Sequence, residues 1–198
     1  MAWIVKRLNS MGILDFRFRT DPEESITALA RHVKTAWKHR MFLEKTAVAS
    51  HQSIGGVERF HRTIQDQVRT IKIECEQSLK YEIQSSTPAA TWLVRHASWL
   101  LYRFQKSKIL KSTCYARDRG ASYTGALLKM FEIVYARNPG AEERGPGRSK
   151  WQSRWTHGLW LGRSEDSDAH IVYVDGRDAE YHAVRRMTVV GMLRPRRR

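Results

Sequence analysis

The stretch from Leu14 to Trp37 constrains the fold most, because its hydrophobic spacing changes from the period of a strand to that of a helix. Leu14, Phe16 and Phe18 alternate with polar residues, which predicts a half-buried strand. The segment Asp21-Pro22-Glu23-Glu24 follows, with an N-cap residue, a proline at the first helical position and acids in the first turn. The predicted helix then carries an apolar face made of Ile26, Leu29, Val33 and Trp37.

Further elements are expected on both sides of this stretch. Residues 1–11 predict a short helix, and residues 42–48 are apolar enough for a short strand. A glycine turn at Ser53-Ile54-Gly55-Gly56 is expected to lead into a long helix over about 57–83. Ser86-Thr87-Pro88 starts another helix, which reaches about Gln105 and is apolar over most of its circumference.

The character of the chain changes after residue 105. Residues 106–130 have mixed polarity and predict a connector, and 138–150 are rich in Gly, Pro and charge and predict a loop. Strand-like runs at 131–135, 158–162, 169–174 and 181–190 predict a small antiparallel β-module. We therefore expect four segments, at 1–105, 106–130, 131–193 and 194–198, the last a basic tail.

The charge balance points to a polyanionic partner. Lys and Arg number 35 against 20 Asp and Glu, a formal net charge of +15. DNA, or RNA, is the expected partner ahead of a membrane surface, and no stretch approaches membrane-spanning length. Cys75 and Cys114 cannot form a disulfide framework, so a reducing compartment, nucleus or cytoplasm, is expected.

Two carboxylates, Asp21 and Glu58, stand out by their context. Asp21 follows a predicted strand and opens a helix, and Glu58 follows the predicted glycine turn. Carboxylates that converge can bind Mg²⁺ or Mn²⁺, and such ions support phosphodiester chemistry. The simpler alternatives are that Asp21 is an N-cap and that Glu58 is a surface acid paired with Arg62 at i+4.

The residues around these acids resemble the catalytic segments of retroviral and retrotransposon integrases. Gln52-Ser53-Ile54-Gly55-Gly56-Val57-Glu58-Arg59 is similar to the segment that carries the last acid of that family, although Ile54 replaces the usual Asn. Phe18-Arg19-Thr20-Asp21-Pro22-Glu23 resembles the strand end that carries the second Asp. Thirty-six residues separate Asp21 from Glu58, close to the spacing of the last two acids in that family.

The C-terminal part resembles copia-type polyproteins in the region that follows the integrase core. The similar segments are Ser149-Lys150, Arg154-Trp155, Gly158 to Arg163 and Ala183-Val184-Arg185-Arg186. The resemblance implies an α/β fold: a partial, N-terminally truncated ribonuclease H-like integrase core followed by the small antiparallel β-module. Because twenty residues precede Asp21, the family's first catalytic Asp and its first three core strands are expected to be missing. Asp15 lies on the same predicted strand as Asp21 and is a poor substitute.

The resemblance also implies which residues would hold metal and DNA. Asp21 and Glu58 would be the catalytic and metal-binding residues, with Mg²⁺ or Mn²⁺ weakly held or absent because the site is incomplete. The expected DNA-binding residues are Arg59, Arg62, Gln65, Arg69, Lys72, Arg185, Arg186, Arg194, Arg196, Arg197 and Arg198.

Each group of basic residues has a simpler alternative. The helical residues could form a solvated face, and the terminal arginines could be a nuclear-import signal. Trp151, Trp155 and Trp160 are expected to be core residues of the β-module rather than base-stacking residues.

The sequence thus predicts a nucleic-acid-binding remnant of an enzyme that cuts and joins DNA 3′ ends, inactive by itself because its triad is incomplete. Two alternatives stay open. One is a non-catalytic DNA- or RNA-binding protein derived from a retrotransposon. The other is an assembly protein that keeps only the oligomer surface of the core, and a homo-oligomer is compatible with either.

Overall fold

A computed structural model describes residues 2–20, 22–45, 51–138 and 153–187, with only the backbone described for 51–54. The chain divides into two compact units, Met1–Thr63 and Ile64–Arg198. The division falls inside a long helix, whereas the four segments expected from the sequence place their first boundary at 105. Those segment boundaries stay predictions.

The first unit is built around one pair of parallel strands. Helix α1 (Ala2–Ser10) precedes strand β1 (Phe16–Thr20), and helix α2 (Glu24–Ala36) leads to strand β2 (Met41–Lys45). The two strands pair in parallel from Phe16 opposite Met41 to Thr20 opposite Lys45. Parallel neighbours need a crossover connection, which α2 supplies. The expected strand–helix–strand order is confirmed here, and the predicted strand residues 46–48 lie outside the described residues.

Trp37, just after α2, organises the core of this unit. Its ring is buried with Val33 and Met41, and it meets Phe16 edge-on with ring centroids 5.5 Å apart. The indole N–H donates to the Leu14 carbonyl at 2.9 Å. An indole buried with its N–H satisfied adds apolar area without an unpaired donor.

Helix α2 starts later than the Asp-Pro signal predicts. Its N-cap is Glu23, whose side chain makes no capping hydrogen bond, and Glu24 is the first helical residue. Pro22 and Glu23 therefore precede the helix, and the expected capping pattern from Asp21 to Glu24 is wrong. Asp21 itself lies outside the described residues.

The glycine turn predicted before Glu58 is also absent. Helix α3 runs from His51 to Leu79 and includes Gly55 and Gly56. A glycine costs a helix about 1 kcal/mol relative to alanine, which a helix of 29 residues tolerates. Lys80, with φ of 54°, ends it.

Two further helices belong to the second unit. Helix α4 (Pro88–Phe104) matches the predicted helix, and helix α5 (Cys114–Arg119) lies in the segment expected to be a connector. Thr113 caps α5 by accepting from the Ala116 N–H at 3.0 Å. The later half of α3 and one face of α4 share a core cluster that includes Ile71, Cys75, Leu93 and Ala97.

The rest of this unit is a five-stranded antiparallel sheet. Its strands are β3 (Ile133–Arg137), β4 (Trp155–Arg163), β5 (His170–Val174), β6 (Arg177–Tyr181) and β7 (Val184–Arg186), in the spatial order β6-β5-β4-β3-β7. Asp175 and Gly176 both have positive φ and form the β5–β6 turn. The prediction of one strand over 181–190 is wrong, because this run is divided between the end of β6 and the short strand β7.

One face of the sheet is apolar and buried. Val134, Trp160 and Val172 are fully buried there, and Tyr181 closes the cluster. The alternation along β3, with Val134 and Ala136 buried and Ile133 and Tyr135 exposed, sends successive side chains to opposite faces.

The structure confirms a mixed α/β chain with an antiparallel β-module. A ribonuclease H-like assignment for the first unit goes beyond these observations. No helix among the described residues combines the length and apolarity needed to cross a membrane.

Candidate nucleic-acid interface

The predicted carboxylate pair is only half described. Glu58 lies in α3, about two turns after its first residue rather than in its first turn, and is half-buried. Thr20, which directly precedes Asp21, ends β1 and is buried. Because Asp21 is outside the described residues, no distance between the two carboxylates is available from the fold.

No metal centre is formed by the described part of the chain. Within residues 2–20, 22–45, 51–138 and 153–187, no three His, Cys, Asp or Glu side chains are grouped as a metal ion would require. Asp15 is engaged elsewhere, because it accepts from the Arg40 backbone N–H at 3.1 Å and from its guanidinium at 3.0 Å. The expectation of Mg²⁺ or Mn²⁺ therefore stays a prediction.

The predicted DNA-binding residues of α3 fall into two groups. Arg59 and Arg62 are exposed on the part of α3 within the first unit. Gln65 and Arg69 are exposed in the second unit, where Lys72 is half-buried.

The later residues of α3 already have partners on their own helix. Arg69 pairs with Asp66 at 2.6 Å, and Lys72 pairs with Glu76 at 2.6 Å. Glu76 also accepts from the Ile83 N–H at 2.7 Å. The Lys72 ammonium and the Ile83 N–H hold the pKa of Glu76 below its ordinary value. Lys72 therefore helps to hold the turn after α3, which reduces its freedom to bind a phosphate.

Arg185 and Arg186 lie side by side on β7 and are both exposed. The Arg185 guanidinium stands 4.6 Å from the centre of the Trp155 ring. Arg186 donates to the Leu127 carbonyl at 2.7 Å and pairs with Glu132 at 3.3 Å. Arg194 and Arg196 to Arg198 lie outside the described residues.

The three tryptophans of the β-module differ in position. Trp160 is fully buried, which confirms a core role. Trp155 is half-buried beneath Arg185. Trp151 lies outside the described residues.

A buried arginine in α4 was not singled out by the sequence. Arg103 is 7% exposed, and its guanidinium lies 4.2 Å from the centre of the Trp99 ring. Tyr115 and Tyr123 stand 5.2 Å from it, and Tyr102 stands 5.6 Å away. Burial lowers the pKa of Arg103. The aromatic residues in and after α4 are visible in the sequence and indicate that an aromatic cluster could form. Their spacing alone does not predict that Arg103 lies inside it.

Asp168 links this enclosure to the sheet. It accepts from the Tyr123 hydroxyl at 3.0 Å and pairs with Arg163 at 3.1 Å, and the Arg103 guanidinium lies 3.9 Å away. Burial raises the pKa of Tyr123 to about 12, so the hydroxyl stays protonated and donates. Asp168 therefore joins α4, the segment after α5 and β4.

Two buried histidines, His96 and His170, contact tryptophans of α4 and β4. His96 stacks on Trp99 with ring centroids 5.9 Å apart, and burial lowers its pKa to about 4. His170 accepts from the Trp160 indole N–H at 3.1 Å, and burial lowers its pKa to about 4 as well. Both imidazoles are neutral at physiological pH and act as core residues.

The outer sheet face is the second feature that the sequence reasoning missed. Tyr135 and Tyr173 are 41% and 44% exposed, although Val134 and Val172, which precede them on the same strands, are fully buried. The sequence predicts a strand over Phe131–Tyr135, but it does not predict the pairing that brings the two tyrosines to one face.

Among known proteins, similarity is found to solved structures, and it is distant. No protein family model matches the chain, and no curated protein matches it. One such structure is a chain in the "CryoEM structure of simian T-cell lymphotropic virus intasome in complex with PP2A regulatory subunit B56 gamma", which matches at 13% identity and a TM-score of 0.43. The similarity covers 94% of this chain and 63% of that one, so this chain spans less than two thirds of its length. A similarity of this size assigns no activity, substrate or partner.

Proposed function

We propose that this chain is a nucleic-acid-binding protein derived from a copia-type integrase, with DNA as its main partner and the nucleus or cytoplasm as its location. The observation that carries the proposal is the formal net charge of +15 on 198 residues. Such an excess attracts the phosphate backbone of nucleic acids whatever the sequence of bases.

Exposed arginines support this proposal in both units. Arg59 and Arg62 are exposed on α3 in the first unit, and Arg185 and Arg186 are exposed on β7 in the second. Arginine and lysine contacts of this kind position the phosphate backbone rather than read bases. We therefore expect binding that depends little on sequence and strongly on salt.

Integrase ancestry is supported by the sequence around Asp21 and Glu58 and by the order of elements in the first unit. A strand that ends at Thr20, a crossover helix, a parallel strand and the helix that carries Glu58 follow in turn. A divalent ion held by Asp21 and Glu58 would supply electrostatic stabilisation at a phosphodiester. Because a site for such ions needs several correctly placed oxygens, we expect Asp21 and Glu58 by themselves to bind an ion weakly and not to support the joining of DNA ends.

A salt series with duplex DNA of random sequence tests the proposal. Fluorescence anisotropy should give an affinity that falls steeply with salt, with a log–log slope of about −0.9 per phosphate contact. Changing Arg59 and Arg62 together to Gln should reduce the slope by about 2. Arg31 and Lys34, exposed on α2 with the same spacing, form the matched control, since Gln at both removes the same charge. An affinity that does not change with salt, or equal effects of both pairs, would count against the proposed role of α3.

Catalysis is tested separately, with labelled donor ends, target DNA and Mg²⁺. We expect no joined product from the chain or from its Glu58→Gln variant. Joining that needs Mg²⁺ and is lost in Glu58→Gln would restore an enzymatic function and contradict this part of the proposal.

An assembly protein is the second candidate, and exposed apolar residues of the first unit favour it. Phe42 on β2 is 56% exposed and Leu14, before β1, is 60% exposed. Within the described residues β1 and β2 pair only with each other, and open strand edges promote association. Light scattering after gel filtration should show oligomers that Phe42→Ser weakens, while Ile109→Ser, at a residue 89% exposed in the second unit, leaves them intact. A monomer at all concentrations would rule this candidate out.

A further inference from the structure

The outer face of the β-module presents aromatic side chains across three strands. Tyr135 on β3 lies opposite His157 on β4, and Leu159 on β4 lies opposite Tyr173 on β5. Residues directly opposite one another project to the same face. We call the set Ile133, Tyr135, His157, Tyr173 and Arg185 the open face, and Arg185 on β7 lies opposite Tyr135. Leu159 projects to the same face between Ile133 and Tyr173, but it is half-buried and packs against the core cluster shared with α3 and α4.

The open face exposes rings that a stable sheet would normally bury. Tyr135 is 41% exposed, Tyr173 44% and Ile133 42%, whereas Val134 and Val172, their neighbours in the chain, are 0% exposed. Leaving large apolar side chains in water forgoes about 25 cal/mol for each Å² not buried. Exposed rings that share one regular surface are therefore more informative than scattered ones.

The spacing of the two tyrosines is too wide for adjacent bases and suits bases that are separated by one nucleotide in an extended strand. One strand, β4, separates β3 from β5, so the rings are about 10 Å apart across the sheet. His157 and Leu159 follow each other on the same face of β4, which staggers the two tyrosines along the strands by about 7 Å. An aromatic ring can stack on any base, because every base has a flat π-face.

The charges around the open face favour a polyanion over a protein partner. Arg185 on β7 lies directly opposite Tyr135. Arg137 follows Tyr135 on the same face of β3 and lies opposite Trp155. The acids of the same face, Asp178 opposite Tyr173 and Glu180 opposite Ile171, both lie on β6. The side of the face formed by β3 and β7 is therefore the basic one, and in a chain of net charge +15 it complements a phosphate backbone.

We propose that the open face binds single-stranded nucleic acid, with bases stacked on Tyr135 and Tyr173 and the backbone held near Arg185 and Arg137. The inference rests on the proposed nucleic-acid function and narrows its substrate class. Bases in a duplex are stacked on one another and cannot offer their faces to a side chain, so a stacking surface selects unpaired bases. The exposed arginines of α3 and β7 bind duplex and single strands through phosphates alone.

The test compares a labelled oligodeoxythymidine with a duplex of the same length, using the full chain and fluorescence anisotropy. Tyr135→Ala should weaken binding of the single strand about fivefold or more, and the duplex less than twofold. Tyr135→Phe keeps the ring and should bind normally, whereas Tyr135→Leu keeps apolar area without a flat ring and should behave like Tyr135→Ala. Tyr173→Ala and Tyr173→Phe repeat the comparison at the second ring. Circular dichroism confirms that each variant is folded.

A matched control exists in the same unit. Tyr81 is 66% exposed outside the sheet, so Tyr81→Ala should leave both affinities unchanged. Equal affinity of the wild type for both probes, or normal single-strand binding by the Tyr135→Ala and Tyr173→Ala variants, would overturn the inference. So would equal behaviour of Tyr135→Leu and Tyr135→Phe, the result expected if the patch served an apolar protein contact.

The outcomes separate this inference from the proposed function. Salt-sensitive duplex binding without a single-strand preference would remove the inference and leave the proposed function standing. If the wild-type chain bound neither the duplex nor the single strand, both the inference and the proposed function would be wrong. A single-strand preference abolished by the alanine variants at both tyrosines supports both.

Discussion

Replacing Arg103 with methionine should destabilise the second unit by about 2–3 kcal/mol. The guanidinium is 7% exposed and 4.2 Å from the centre of the Trp99 ring. A desolvated cation over an aromatic face contributes about 2 kcal/mol or more, and Tyr115 and Tyr123 stand at 5.2 Å. Methionine keeps most of the apolar stem and loses the charge. The expected loss is smaller than the 3–5 kcal/mol typical of a broken buried ion pair. When Arg103 is replaced, Asp168 still has Arg163 as a partner at 3.1 Å.

Arg95 is the matched control for this change. It lies on the same helix, and its guanidinium is 4.9 Å from the centre of the Trp92 ring, but it is exposed. An exposed cation–π contact contributes about 0.5–1 kcal/mol, so Arg95→Met should have a correspondingly small effect. The comparison isolates burial of the cation, since both changes remove one arginine from α4.

Urea unfolding followed by near-ultraviolet circular dichroism measures the free energy of unfolding of each variant. Hydrogen exchange then localises the loss, which should fall on α4, α5 and the segment around Asp168. Arg103→Lys keeps the charge without the planar group and should lie between wild type and Arg103→Met. If Arg103→Met unfolds at the same urea concentration as Arg95→Met, the buried cation does not stabilise the fold and the reasoning is refuted.

Acid sensitivity and two glycine replacements provide further tests of the fold. His96 and His170 have a pKa of about 4 in the folded chain against 6.5 ordinarily, so the unfolded chain binds more protons between these values and stability is lost as the pH falls from 6.5 towards 4. Each histidine accounts for roughly 2–3 kcal/mol of that loss of stability. His96→Phe should therefore make the urea midpoint depend less on pH. A wild-type urea midpoint that does not change with pH would contradict the lowered pKa values. A Cβ at Gly158 would meet the Tyr173 carbonyl oxygen inside van der Waals contact, so Gly158→Ala should cost about 2 kcal/mol or more. Gly56, in α3 with open space around it, is the control: Gly56→Ala should stabilise by about 0.5–1 kcal/mol, and thermal melts in the opposite order would show that the β4–β5 contact is looser than described.

Local patterns predicted several elements well. The alternation from Leu14 to Phe18 and the apolar run after Pro88 correspond to β1 and α4. These predictions succeed because each depends on backbone preferences and face periodicity within a few residues.

Local patterns failed where distant contacts or helix propagation prevailed. Gly55 and Gly56 were expected to form a turn, yet α3 continues through them. The run 181–190 was expected to be one strand, but the chain turns after Tyr181 so that β7 can pair with β3 on the far side of β4. Strand order is set by which surfaces can be buried together, and no short window of sequence contains that information.

The candidate sites divide along the same line. The sequence by itself determined the excess of positive charge, the spacing between Asp21 and Glu58 and the change from strand to helix between Leu14 and Trp37, because charge and periodicity belong to the chain. Only the tertiary structure decided that Arg103 is buried among aromatic rings, and that Tyr135 and Tyr173 share an exposed face. The physical reason is that burial and cross-strand neighbours arise from contacts between segments far apart in the chain, and these are settled only when the sheet and the helices pack.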